Sequence, residues 1–510
     1  MKLSELLKAV AVNPENQTVR TADPEIVSIH YRSDAVQPGG LFIAVPGLAA
    51  DGHDFIDQAL ERGAAAVIVQ KPIHKDGIFV QVADSRKAMS ALASRFYGHP
   101  SEKMTLVGIT GTNGKTTTSY LVESILAASH KPCGVIGTIN YRYGGRQLDN
   151  PMTTPESLDL QRILAEMVDE NISHAVLETS SHAIDLGRID NIRIRIGVFT
   201  NLSQDHLDYH GDMESYWACK KRLFTEYLDN ADADRPAFAV LNCMNEKGRE
   251  LQASLFTQGN KVRLVTIGNT ATDTIQVLHS DIRLSGITVA VKTPKGVLEF
   301  RSSLVGRFNL ENLLCAVGVG SALNLPAADI QAGIEGFASV PGRLEPVLND
   351  SGRFVFVDYA HTPDALENVL STLRELTHGR LICIFGCGGD RDRTKRPLMG
   401  GIAGKLSDLC IITSDNPRTE DRMAIIEEIV AGVENEKQQV PDQTPPPQEG
   451  FMIVPDRRTA IQKGIEYAAP GDTILIAGKG HETYQIVGRQ KFPFDDRIEA
   501  ENVLKRIGAR

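Results

Sequence analysis

Between residues 353 and 478 the chain repeats one rhythm, a short apolar run followed by an amphipathic segment. The apolar runs are RFVFVDYA, LICIFG, LCIITS, FMIVP and TILIAG; PDALENVLSTLREL, RPLMGGIAGKL, MAIIEEIVAGV and RTAIQKGIEYA lie between them. Near-continuous apolar runs of this length read as strands buried on both faces, and the segments between them as the helices that cover those faces. Parallel strands need such crossovers, and the crossovers are right-handed. The pattern predicts a doubly wound, Rossmann-like sheet of the α/β class.

The same rhythm is looser upstream. MTLVGIT, CGVIGT, HAVLETS and IRIRIGVFTNL read as strands, with helices expected over 115–129 and around Leu160, Ile163, Leu164 and Met167. In the first hundred residues GLFIAVPG and AAAVIVQ read as strands flanking a helix, DFIDQALERG, that closes on Gly63. A chain of 510 residues is too long for one core, since domains cluster near ~100–200 residues. Three α/β domains are expected. They are a small N-terminal domain over 1–100, a central parallel-sheet, P-loop-like ATPase domain over 101–342, and the Rossmann-like domain over 343–510. The linker is placed at 341–347, and the polar, proline-rich stretch 435–450 is read as a mobile surface loop.

Open α/β sheets bind ligands beyond the carboxyl ends of their strands. The residues there are rich in functional groups. In the last third they read DYAHTPDAL, GCGGDRDRTKR, SDNPRTED and AGKGHET; in the centre they include TGTNGKTTTS, ETSSH and NLSQDHLDYHG. The glycine loop 111–118 follows a strand and opens a helix, so backbone N–H groups and the helix N-terminus face an anion while Lys115 adds a point charge. Its spacing differs from G-x-x-x-x-G-K-[ST], which would need glycine where Ile109 stands. Thr116 is placed to put its hydroxyl on Mg²⁺. Glu178, His182, Asp205, His206 and His210 offer ligands for a second divalent ion, although Mg²⁺ itself prefers oxygen.

Charge and cysteines narrow the partners. Lys+Arg total 54 against Asp+Glu 64, a formal charge of -10, which argues against general nucleic-acid binding and for small-molecule partners. The seven cysteines are odd in number and scattered, as for free thiols in a reducing compartment, and Cys383 and Cys387 lack a second Cys/His pair that would make a zinc site. Glu5 and Lys8 interrupt the first apolar residues, and no apolar run approaches the ~20 residues of a membrane span. A cytoplasmic, monomeric protein without membrane insertion is expected.

With these residues assembled, the chain resembles the Mur ligase family over nearly its whole length. GTNGKTT alone selects a superfamily shared with folylpolyglutamate synthases; YRSDAVQPGGLFIAVPG, TTPES, ETSSHAIDLGRID, TNLSQDHLDYHG, GRFNLENLLCAV and VDYAHTPDAL narrow it. Their order and spacing look like the members that add the third residue of the peptidoglycan stem peptide. The resemblance implies ATP, Mg²⁺ (two ions), UDP-N-acetylmuramoyl-L-Ala-D-Glu and an amino acid as ligands. It implies ATP contacts at Gly111, Thr112, Asn113, Gly114, Lys115, Thr116, Thr117, Asn309 and Asn312. It implies metal contacts at Thr116, Glu178, His206 and a carbamoylated Lys220, with Lys115, Lys220, Glu178 and His206 catalytic. Ser33, Thr153, Thr154, Ser180 and Arg188 match UDP-substrate contacts, while Leu186 stands where some relatives carry glutamine.

Asp415-Asn416-Pro417-Arg418 matches the signature of members that add meso-diaminopimelate, and Arg391, Gly478 and Glu482 match further amino-acid contacts. Diaminopimelate differs from lysine by one carboxylate, and a guanidinium fork suits bidentate carboxylate recognition. Arg418 is therefore expected to read that carboxylate and Glu482 to pair the far ammonium. The competing readings are a lysine-adding Mur ligase, a folylpolyglutamate synthase and a non-catalytic nucleotide-binding relative. The intact Lys115, Thr116, Glu178 and His206 count against the last of these.

Overall fold

The computed structural model describes residues 1–12, 23–47, 50–148, 150, 152–228, 236–257, 262–442 and 446–508. The chain forms two compact units. One comprises Met1–Val277, Val291–Leu298 and Glu311–Gly333; the other comprises Leu278–Ala290, Glu299–Leu310 and Ile334–Arg510.

The first unit begins with a parallel four-stranded sheet, β1 (Ser28–His30), β2 (Gly40–Ile43), β3 (Ala66–Val69) and β4 (Phe79–Gln81), in sequence order. Helix Ser85–Phe96 opens on Asp84, whose carboxylate accepts from the N–H groups of Arg86 and Lys87. It buries Ala88, Met89, Leu92 and Ala93 with Leu41, Ile43, Ile68 and Val80.

The large central sheet contains β5 (Thr105–Thr110), β6 (Cys133–Ile136), β7 (Tyr141–Tyr143), β8 (Arg146–Leu148), β9 (His174–Glu178), β10 (Ile196–Phe199), β11 (Phe238–Asn242), β12 (Arg263–Gly268), β13 (Ile275–Arg283), β14 (Gly286–Thr293) and β15 (Gly296–Ser302). Their order is β15-β14-β13-β12-β11-β10-β5-β9-β6-β7-β8. Parallel β10 and β9 flank β5 on either side, Val107 pairing Ile196 and Val176. The glycine loop leaves the end of β5, where the strand order switches direction, as an open α/β sheet places a ligand site.

In the second unit the alternating rhythm becomes β17 (Phe354–Asp358), β18 (Leu381–Phe385), β19 (Leu409–Ile412), β20 (Gly450–Ile453) and β21 (Thr473–Ala477), parallel and in the order β17-β21-β18-β19-β20. Helices Pro363–Leu376, Lys395–Leu406, Arg422–Val433 and Arg457–Tyr467 fall where the amphipathic segments predict them. The first buries Leu366, Val369, Leu370 and Leu373, each roughly 1.5–3 kcal/mol when removed from water. Part of the expected linker is itself in the sheet: β16 (Glu345–Pro346) pairs antiparallel with β17, and Leu344 donates its N–H to Asp358. An antiparallel hairpin, β22 (Tyr484–Val487) and β23 (Gln490–Pro493), follows β21. Of the stretch 435–450, residues 443–445 lie outside the described residues; Val440 N–H bonds to Phe451 and Lys437 pairs with Glu449 at 2.7 Å. All seven cysteines are free thiols.

Candidate active site

The glycine loop is held by the loop after β10. Thr112 N–H donates to Asn201 O at 2.9 Å, Asn113 N–H to Asn201 Oδ1 at 2.9 Å, and Thr200 Oγ1 to Asn113 O at 2.6 Å. Gly111 has φ 147° and a Cβ there would collide with Thr200 Oγ1, so this crossing admits only glycine. Gly114, at φ 86°, caps helix Lys115–Ala128 against Asn312. Lys115 Nζ curls over the loop, donating to Gly111 O at 2.9 Å and Thr112 O at 2.8 Å. Thr117 is buried beside it.

Glu178, at the end of β9 and 1% exposed, is the centre of a hydroxyl network. Its Oε2 accepts from Thr116 Oγ1 at 3.0 Å and Thr138 Oγ1 at 2.8 Å, and its Oε1 from Thr138 N–H at 3.1 Å. Thr153 Oγ1 lies 3.2 Å from Thr138 Oγ1, and Thr154 donates to Glu178 O at 2.7 Å. Gly137 permits this convergence, because a Cβ there would overlap Glu178 Oε1. Ser180 caps helix Ser181–Asp185 and receives Thr154 Oγ1 at 3.4 Å. Arg188 donates to Thr154 O at 3.3 Å and to Glu156, whose other oxygen holds Arg86 at 2.7 Å. Leu186 is the C-cap of that helix.

Lys220, on helix Met213–Arg222, is 1% exposed. Its Nζ donates to Gly111 O at 2.9 Å and sits 4.4 Å from the Tyr216 ring centroid. Burial first, and the Lys115 ammonium second, hold its pKa well below the usual lysine value. Tyr216 OH contacts Thr112 Oγ1 at 3.3 Å. His206, at φ 54°, lies edge-on to His182 with centroids 4.9 Å apart and 6.1 Å from Tyr216. Its ring is 3.4 Å from Asp205.

The donor set suits Mg²⁺ at one place. Thr116, Thr138 and Glu178 gather hard oxygen donors at the phosphate loop. His206 and Lys220 approach each other through Tyr216, and among the described residues no three His, Cys, Asp or Glu side chains converge into a metal cluster. A second ion there would draw on an acidic ligand that a carbamate on Lys220 would supply.

Elsewhere in the first unit Ser33 donates to Gln58 at 2.6 Å. Near it Arg32, Tyr31, Tyr141, Glu156 and Asp159 line a cavity of about 760 Å³. Asn309 lies one turn before Asn312 on helix Arg307–Ala322 and donates to Val305 O at 2.8 Å.

In the second unit the loops after β18, β19 and β21 meet. Arg418, at φ 51°, donates to Gly389 O at 2.8 Å. Arg391 is exposed on the neighbouring turn. Asp415, Asn416 and Pro417 are buried, and Gly478 lies against Asp415 Oδ2. Asn416 Nδ2 donates to Glu482 Oε2 at 2.8 Å. Arg396, fully buried, ties the first two loops together through Gly388 O at 3.2 Å and Glu420 at 2.9 Å, and pairs with Glu428 of helix Arg422–Val433 at 2.9 Å. Its guanidinium holds the Glu420 carboxyl down at about 2.

Three family models match this chain: the Mur ligase middle domain over 109–320, the glutamate ligase domain of Mur ligases over 342–480, and the catalytic domain of the Mur ligase family over 25–97. The chain belongs to the Mur ligase family. This Mur ligase is 46% identical over 516 residues to a UDP-N-acetylmuramoyl-L-alanyl-D-glutamate--2,6-diaminopimelate ligase of Geobacter metallireducens, covering 100% of the chain and 99% of the relative. The enzyme of that name from Geobacter sulfurreducens is 46% identical over 484 residues, 93% of the chain and 94% of the relative. A solved structure of an enzyme with the same name superposes with TM-score 0.72 at 30% identity, covering all of both chains.

The Mur ligase thus brings Thr116, Glu178, Thr153, Thr154, Ser180 and Arg188 into one network, and Lys220 onto the loop that carries Lys115. It brings Asp415, Asn416, Gly478 and Glu482 together in the other unit. Sequence reasoning missed Thr138, Glu156, Asn201 and Lys479. Thr138 ends a strand run and Lys479 sits inside GKGHE, so position beyond a strand could have flagged both.

Proposed function

We propose that this Mur ligase joins meso-2,6-diaminopimelate to UDP-N-acetylmuramoyl-L-alanyl-D-glutamate with ATP, in peptidoglycan precursor synthesis. The proposal is a monomeric, cytoplasmic enzyme built of segments 1–100, 101–342 and 343–510. The D-Glu γ-carboxylate attacks the γ-phosphorus of ATP, giving an acyl phosphate and ADP. The amine of diaminopimelate then attacks the acyl carbon, loses a proton, and the tetrahedral intermediate expels inorganic phosphate. Lys115 and the loop N–H groups offset charge on the phosphoryl group in transfer, a contribution of positioning and electrostatics. Mg²⁺, when bound, would neutralise phosphate oxygens, with Thr116 and Glu178 as its holders and His206 with carbamoylated Lys220 at a second ion. Ser33, Thr153, Thr154, Ser180 and Arg188 hold the UDP-substrate, and the network that joins Thr153, Thr154, Ser180 and Arg188 to Glu178 supports that placement. Asn309 and Asn312 contact the nucleotide.

A lysine with a lowered pKa presents a neutral amine, which adds CO₂ and releases a proton to give a carbamate. The observation that carries the choice of amino acid is Arg418, whose guanidinium lies beside Gly389 while Arg391, Asp415, Asn416, Pro417, Gly478 and Glu482 supply the rest of the pocket. Phosphate release by purified protein with Mg-ATP and the UDP-dipeptide tests the reading, with diaminopimelate and L-lysine compared side by side. Turnover with diaminopimelate alone is expected; equal turnover with lysine would overturn the specificity, and none with either would overturn the ligase reading.

A further inference from the structure

Lys479 is 0% exposed, yet it lies in a loop rather than in a packed helix or strand. Burying an ammonium is costly unless it is paired and hydrogen-bonded. Its Nζ donates to Glu482 Oε2 at 3.1 Å and to Asn416 Oδ1 at 3.2 Å. Asn416 Nδ2 donates to the same Glu482 Oε2 at 2.8 Å, and Asn416 Oδ1 also accepts Ile486 N–H at 2.9 Å from the hairpin. Among the described residues, both hydrogen bonds to the Glu482 side chain therefore end on one oxygen. The carboxylate is held by Oε2, on a side chain that is 18% exposed.

We propose that Lys479 and Asn416 form a clamp that fixes Glu482 through Oε2 and presents Oε1 to an ammonium group of the incoming amino acid. Lys479 is a positioning residue. It contributes no contact to the amino acid, and it sets the direction and charge of the oxygen that does. A carboxylate free to rotate would lose that orientation on each encounter, at an entropic cost to binding. The hairpin completes the device: Gln485 Nε2 donates to Asp415 O at 2.6 Å, Arg418 N–H to Ile486 O at 3.1 Å, and Gly488 N–H to Arg418 O at 2.7 Å. The same strand thus fixes the Asn416 amide and the left-handed backbone of Arg418.

This inference rests on the ligase reading above, and the test separates the two. Steady-state kinetics of the full-length protein would be measured for wild type, Lys479→Met, Glu482→Gln and the double variant. Loss of one charge-assisted hydrogen bond predicts a rise of about tenfold or more in KM for diaminopimelate in Lys479→Met, with KM for ATP and for the UDP-dipeptide within about twofold. In the double variant the Lys479 effect should vanish, because a clamp acts only through the carboxylate it holds. If Lys479→Met does not fold, Lys479→Gln, which removes the charge and keeps a neutral donor, should raise KM for diaminopimelate in the same direction and lose its effect beside Glu482→Gln. A wild-type enzyme that turns over while the clamp variants keep KM for diaminopimelate within about twofold, or add fully to Glu482→Gln, overturns the clamp alone. A wild-type protein that releases no phosphate with diaminopimelate overturns the functional reading and the clamp with it.

Discussion

Among the described residues, the two compact units each bury one lysine almost completely, and they treat it in opposite ways. Lys220 in the first unit meets a backbone carbonyl and the face of Tyr216, with no carboxylate ion pair among the described residues. Lys479 in the second unit is paired with Glu482 and Asn416. A buried ammonium without a counter-ion is pushed toward the neutral amine, whereas one with a carboxylate beside it can remain a fixed charge. The difference teaches that burial alone says little about a lysine's role. The partner decides whether it is poised for chemistry or set as a strut.

The largest effect is expected at the first lysine. Lys220→Ala should lower turnover by at least about 100-fold, the scale of losing a group that stabilises developing charge, and an added short carboxylic acid should restore part of it. Undiminished turnover would break the comparison outright. Next comes the second unit: Arg418→Ala should raise KM for diaminopimelate by about 10- to 100-fold and leave L-lysine use unchanged, since a charged hydrogen-bond donor to one carboxylate is lost. Unchanged selectivity would mean that the turn only shapes the loop. The smallest effect concerns the Arg396 cross-brace. Glu420 titrates at about 2 in the fold against its ordinary 4.5, so the stability it lends is fully present above the ordinary value and is lost as pH falls toward 2. Thermal unfolding between pH 5 and pH 3 should show a smaller loss in Arg396→Met than in wild type; equal slopes would remove the brace from the account.

How much of this was legible in the sequence follows from how local each feature is. Strands β17 to β21 and their helices come from contiguous runs, and the glycine loop is one unbroken motif between a strand and a helix. The pieces that escaped depend on distant partners. Thr138 acquires a role only because Glu178 arrives forty residues later, with Gly137 leaving room for its carboxylate. Asn201 matters because β10 lies beside β5, a pairing that no period along the chain announces. The 484–493 hairpin mixes polar and apolar residues without a long apolar run and buries none of them, so it gives little hydrophobic signal, yet it fixes the backbone of Arg418. The expected linker at 341–347 contributes β16 because Glu345 pairs across to Val357, again a contact that sequence distance hides. Helix Asp496–Gly508 has the same history: its Asp496 makes a buried pair with Arg457 at 2.7 Å.

The most direct test of the contrast between the two lysines is ¹³C NMR of the full-length protein in ¹³C-bicarbonate near neutral pH. A carbamate resonance is predicted in wild type and in Lys479→Met, and it should be absent in Lys220→Ala. A resonance that survives in Lys220→Ala, or none in wild type, would contradict the assignment of reactive and fixed roles to these two buried residues.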